Sequence, residues 1–180
     1  MPNVVLSKPS FRLKQSGEKL RVMFSPTHSR GGRWNAKYSP ELEEALSALT
    51  RMGKIEVITP QSPLTPLALL EMRKSCHVSI DEIVTGSYHQ VSLEGLCSGN
   101  VVINNSDFFA SIMLSNVSGT KDLPPFFQAN PKNISERLLE LAMNDDLTRH
   151  IQKKSFDFFK NNLLPDHLFK VYDNIYKDIL

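Results

Sequence analysis

Cysteine is scarce in this chain. Its two cysteines, Cys76 and Cys97, are too few for a disulfide framework or a thiolate metal cluster. Both sit among apolar neighbours and read as buried thiols. Long apolar runs are also missing. None approaches the ~20 residues that a membrane-spanning helix needs, and residues 2–6 are too short for the apolar stretch of a secretion signal. A reducing, cytoplasmic setting is the expectation. Charge of one sign is lacking as well: 21 Lys and Arg against 19 Asp and Glu leave a net +2. That balance excludes the clustered basic excess of a nucleic-acid footprint, so no nucleic-acid partner is expected. No Ser, His and acid set has a recognisable nucleophile elbow. No His, Cys and Asp spacing resembles a metal site, so no metal is expected. Internal repeats and low-complexity segments are absent.

What remains is ordinary globular material. The chain has 180 residues with 41% hydrophobic and 22% charged content, enough for one domain with a sizeable core. Residues 1–19 read as a linker-like segment with turn signals at Ser7-Lys8-Pro9-Ser10 and a polar loop at residues 15–19. From Leu20 onward, short apolar runs alternate with helical periods. Strands are expected at residues 20–25, 55–59, 78–83, 101–104 and 125–128. Helices are expected at residues 40–52, 66–76, 87–97 and 107–114, followed by a helical tail from Asn133. Ser39-Pro40 is a helix start and Gly53 its stop. In the tail, Leu168, Val171, Tyr172, Ile175 and Ile179 form an amphipathic stripe. This alternation predicts an α/β domain: one doubly wound, Rossmann-like parallel sheet of five or six strands, with the C-terminal helices packing across it.

Three constellations could carry chemistry at the carboxyl edge of such a sheet, where ligands bind. The loop after the first strand holds Arg30, Gly31, Gly32, Arg33 and Lys37. Glycines admit close backbone approach, Arg supplies a planar fork and Lys a point charge, a set that suits a pyrophosphate; it is neither a G-x-G-x-x-G nor a P-loop pattern, and a solvated surface loop is the other reading. Glu94 lies on the third helix behind the turn Gly86-Ser87-Tyr88-His89-Gln90. It could accept bonds from a ribose diol, or it could face solvent or cap a neighbour; its apolar neighbours Val91, Leu93 and Leu96 point to a mostly buried helix, where a Glu needs a partner. His28 ends the first strand and His89 opens the third helix; either suits a phosphate or a structural role. Asp81-Glu82 end the third strand, placed for orienting cations or for salt bridges. His77, His150 and His167 read as surface or core-edge residues, and Phe108-Phe109 and Phe158-Phe159 as core.

The order of these motifs resembles the C-terminal, donor-binding domain of GT-B fold glycosyltransferases, in particular the large group 1 (family 4) of retaining nucleotide-sugar enzymes. The resemblance covers about residues 20–180. It rests on Val22 to His28 with Arg30, Arg33 and Lys37; on Asp81-Glu82, Gly86-Ser87-Tyr88, Glu94, Gly99 and Val101-Val102-Ile103; and on Ala129-Asn130-Pro131-Lys132-Asn133-Ile134. It implies that Glu94 binds the nucleotide ribose and that Arg30, Arg33 and Lys37 neutralise the diphosphate. His28, Gly31, Gly32, Asp81, Glu82, Gly86, Ser87, Tyr88, His89 and Gln90 would line the donor site. Two positions depart from the family pattern. Position 86 is Gly where a first Glu, associated with the transferred sugar, is common. Position 89 is His where a Gly is usual. The resemblance implies a nucleotide-diphospho-sugar as substrate, no separate cofactor, and an N-terminal acceptor-binding domain as the missing partner, so the chain alone should be inactive. A membrane-associated acceptor stays open. The alternatives are another GT-B relative, such as a nucleotide-sugar epimerase, and a degenerate, non-catalytic interaction module.

Overall fold

The computed structural model describes residues 4–25 and 39–179. Five parallel strands form one sheet in the order β2-β1-β3-β4-β5. They are β1 Leu20–Phe24, β2 Ile55–Ile58, β3 Val78–Ile80, β4 Val101–Asn104 and β5 Phe127–Gln128. The helices are α1 Pro40–Arg51, α2 Pro66–Lys74, α3 Gln90–Cys97, α4 Phe108–Val117, α5 Ile134–Met143, α6 Asp145–Asn162 and α7 Pro165–Ile179. The expected doubly wound α/β architecture is therefore the fold. Parallel strands covered on both faces must be apolar on both, and β4 illustrates it. Val101 and Ile103 point into a core with Leu42, Leu46 and Leu138 from α1 and α5. Val102, between them, points into a second core with Leu93, Leu114 and Phe159. The tail helix α6 serves both: Leu147 and Ile151 pack on the first core, Phe158 and Phe159 lie in the second.

Local chemistry sets the element ends. Ser39 caps α1, its hydroxyl accepting from Leu42 N at 3.2 Å, with Pro40 in the first turn. The third helix starts at Gln90 rather than Ser87. The cause is Asp81, whose carboxylate accepts from His89 N at 2.7 Å and holds residues 82–89 as an irregular turn. The last strand is two residues long rather than four, because Pro124 and Pro125 have no N–H to give a ladder. Gly95 lets α3 press on the sheet: a Cβ there would stand 2.8 Å from Val102 Cγ2.

Three expectations about burial fail or need amendment. Phe108 and Phe109 are not core; capping by Asp107 puts them on the outward first turn of α4, 67% and 70% exposed. His77, read as a surface or core-edge residue, is fully buried. The segment before β1 has no regular element, yet it is strapped to the domain. Phe11 stacks on Phe156 with centroids 4.4 Å apart. Gln152 accepts from Lys14 N at 3.0 Å and donates to Arg12 O at 2.9 Å, and the buried Lys14 pairs with Asp145.

Candidate functional site at the carboxyl edge

In a 2-1-3-4-5 parallel sheet the order reverses between β1 and β3, and the crevice beyond their carboxyl ends is the ligand position of such folds. Two crossovers leave these strands at that edge. One leaves β1 at Phe24 and re-enters at Ser39. It carries His28, Arg30, Gly31, Gly32, Arg33 and Lys37, all of which lie outside the described residues. The other is the turn from Asp81 to Gln90.

That turn is built by its acidic pair. Asp81, 6% exposed at the side chain, accepts from His89 N and Ser92 Oγ, both at 2.7 Å, and its Oδ1 lies 3.4 Å from His89 Nδ1. A carboxylate at this position satisfies donors that the helix start leaves without intrahelical partners. Glu82, also buried, accepts from Val84 N at 3.0 Å, Thr85 N at 2.8 Å and Thr85 Oγ1 at 2.5 Å. Both acids thus shape the turn. The polar chain runs on into β4: Asn104 donates to Ser92 Oγ at 2.9 Å and accepts from Ser106 Oγ at 2.8 Å. Gln128 on β5 donates to Ser106 O at 2.7 Å. Sequence reasoning missed Ser92, Asn104 and Ser106. The signal was the polar run Asn104-Asn105-Ser106-Asp107 directly behind an apolar strand.

The turn delivers Gly86, Ser87 and Tyr88 to a cavity of about 480 Å³, which Asp107, Phe109 and Leu114 also line. Its lining is mainly apolar, with Ser87 and Asp107 among the polar groups, the make-up of a small-molecule pocket. Gly86 packs closely on Asp107. Asp107 N donates to Gly86 O at 3.0 Å, and a Cβ on residue 86 would meet Asp107 Oδ2 at 3.1 Å. Tyr88 is half buried against Phe126, which raises its phenol pKa through desolvation. His89 is the N-cap residue of α3 and Gln90 its first residue, so the N-terminus of α3 opens onto this edge.

Glu94 stands outside that cavity. Its Oε2 accepts from Arg73 Nε at 2.9 Å, across the α2–α3 contact. Arg73 is 2% exposed and Glu94 14%. The buried glutamate has found its partner in a residue that the sequence shows only as part of a helix body. The two cysteines are buried and unpaired; burial pushes Cys97 up to about 12 and also raises Cys76. No group of three His, Cys, Asp or Glu suited to a metal ion occurs among the described residues. Nor is any helix among them long and apolar enough to cross a membrane.

No protein-family model matches the sequence, and no curated protein matches it either. Among solved structures the chain is similar to a chain of the GtfA/B complex, with a TM-score of 0.66 and 9% identity. The similarity covers 98% of this chain and 39% of that one, so the present chain spans well under half of its neighbour's length. What the two share at this identity is the fold, a Rossmann-type α/β arrangement.

Proposed function

We propose that the chain is the donor-binding half of a glycosyltransferase. It would hold a nucleotide-diphospho-sugar at the crevice between β1 and β3, for transfer to an acceptor carried by a further domain or a partner chain. One observation carries this reading. The Asp81-anchored turn brings the N-terminus of α3 to the carboxyl edge of a 2-1-3-4-5 sheet, with the Gly86–Tyr88 cavity beside it against α4 and the start of α7. In this reading the diphosphate takes backbone N–H groups at the start of α3, near Ser87, Tyr88, His89 and Gln90. Arg30, Arg33 and Lys37, with His28, Gly31 and Gly32 in the same crossover, neutralise it. Such positioned charge is what this half contributes to the departure of the nucleotide. Glu94 engages the ribose while retaining Arg73. The unpaired thiols Cys76 and Cys97 suit a reducing, cytoplasmic compartment.

A second reading has its own support. Asp81, Glu82 and Glu94 are all committed to partners within the chain, which favours a non-catalytic module with the same fold. Calorimetric titration with UDP, GDP and ADP decides between them. Saturable binding of one of the three supports the donor-site reading. Binding of none of them supports the module.

A further inference from the structure

Beyond the Gly86 turn, the carboxyl edge of the sheet continues as a trench. A cavity of about 550 Å³ lies past the end of β4, lined among others by Gly86, Asn105, Asp107, Phe108 and Gln128. A second, of about 400 Å³, lies past β5 at the start of α5, lined among others by Asn105, Gln128, Asn130 and Asn133. Asn105 and Gln128 belong to both, so the two form one depression of ligand-binding size.

The polar groups in it are oriented. Gln128 Nε2 is held on Ser106 O at 2.7 Å, which leaves Oε1 as an acceptor. Asn130 Oδ1 accepts from Lys132 N at 2.9 Å and Asn133 Oδ1 from Asn130 N at 2.8 Å, which leaves two amide NH₂ groups as donors. Asp107 Oδ1 caps α4 on Ala110 N at 2.7 Å, and the lack of a side chain on Gly86 leaves Oδ2 uncovered. Phe108 adds a large aromatic face, 67% exposed, at the same wall.

Charge narrows the ligand. Asp107 and Glu136 are both carboxylates. The one cation among the described lining residues, Arg137, lies 4.0 Å over the Phe127 ring. It donates to Gln128 O at 3.3 Å and to Glu140 at 2.8 Å. An anion would meet two carboxylates and a guanidinium already held. Neutral hydroxyls, by contrast, can donate to Asp107 and Gln128 and accept from Asn130 and Asn133, while an apolar ring face rests on Phe108.

We infer that this trench is a second binding site, for a neutral saccharide of more than one ring. It goes beyond the donor-site reading and does not rest on it: Glu94, His89 and the basic crossover take no part, although Gly86 and Asp107 form a wall shared with the Gly86–Tyr88 cavity. The test is a titration of the ¹⁵N-labelled chain with maltotriose, cellotriose and chitotriose, and with inorganic phosphate for comparison. The side-chain amide resonances of Asn105, Gln128, Asn130 and Asn133 should shift saturably with one trisaccharide, at a Kd of about 1 mM, and not with phosphate. Phe108→Ala and Gln128→Ala, both at exposed positions, should each weaken binding about fivefold or more, a loss expected of contact residues. Phe169→Ala, at an exposed α7 position outside the trench, should leave binding unchanged. No saturable shift with any of the three sugars overturns the inference. So does a response to phosphate, or wild-type affinity in both trench variants. UDP titrated into the same sample reports on the donor site separately.

Discussion

Truncating Glu94 should unfold more than it unbinds. The carboxylate accepts from Nε of a guanidinium that is 2% exposed, and Arg73 Nη1 has no hydrogen-bond partner among the described residues. Glu94→Ala therefore leaves a buried cation uncompensated. Removing one member of a buried pair costs about 3–5 kcal/mol. Glu94 keeps 14% exposure, so water can reach the vacated side and the lower end, about 3 kcal/mol, is expected. For a chain of this length that corresponds to a fall in Tm of roughly 6–12 °C. Glu94→Gln retains an acceptor for Arg73 Nε and should lose about half as much. Arg73→Met with Glu94→Ala removes both charges while keeping volume beside α2, and should return to within about 1 kcal/mol of wild type.

The same set separates structure from ligand binding. Urea unfolding and scanning calorimetry give the stabilities, and nucleotide titration well below each midpoint gives the affinities. If Glu94 touches the ribose, Glu94→Ala and the double variant bind equally weakly, about 10-fold or more below wild type, because both lack the carboxylate. If Glu94 only steadies α3, the double variant regains affinity along with stability. An unchanged midpoint in Glu94→Ala would refute the buried-pair argument. Restored affinity in the double variant would remove Glu94 from the donor site.

Three further outcomes follow from the packing. His77 is held near a pKa of about 4 by burial and by Arg12, Lys14 and Arg21, against the opposing pull of Glu18. Its depressed pKa means that stability is full above pH 6.5 and falls between pH 6.5 and 4, where the unfolded chain binds the extra proton. The loss is about 3 kcal/mol at most, and urea midpoints for wild type and His77→Gln should converge at the acid end unless burial of the ring is incidental. Gly99→Ala should cost about 2 kcal/mol or more: its φ is +58°, and the new Cβ would stand 2.2 Å from Phe11 Cβ. Limited proteolysis should then cut within residues 4–19, and an intact strap would contradict the clash. Gly95→Ala, overpacking α3 against Val102, should cost about 1–3 kcal/mol by chemical denaturation, with a near-neutral result meaning that α3 can shift.

Fold and site were not equally legible in the sequence, and the reason is range. The strands and helices could be read because each is announced by its own residues. Val101-Val102-Ile103 is apolar on both faces, Ser39-Pro40 starts a helix, and Gly99 stops one. The turn from Gly86 to Gln90 was recognisable for the same reason. The partners were not, because they come from other elements. Arg73 reaches Glu94 across the contact of α2 with α3. Asp107 arrives at Gly86 from the crossover after β4. His77 is covered by an N-terminal strap that carries no periodic signal at all. Exposure failed at Phe108-Phe109 because an N-cap, not hydrophobicity, decides which way a first turn faces.

This difference has a functional side. A carboxylate read alone on a helix is a free ligand; the same carboxylate across from Arg73 is half of an ion pair, and a nucleotide can use only what the pair leaves over. The acids at 81 and 82 follow the same logic, since their oxygens already hold the backbone and side-chain donors that define the turn. In the proposed donor site, that leaves N–H groups at the start of α3 as the donors the described residues can offer a phosphate. Among the described residues, Asp107 and Gln128 offer acceptors further along the edge, and the trisaccharide titration asks whether hydroxyls find them.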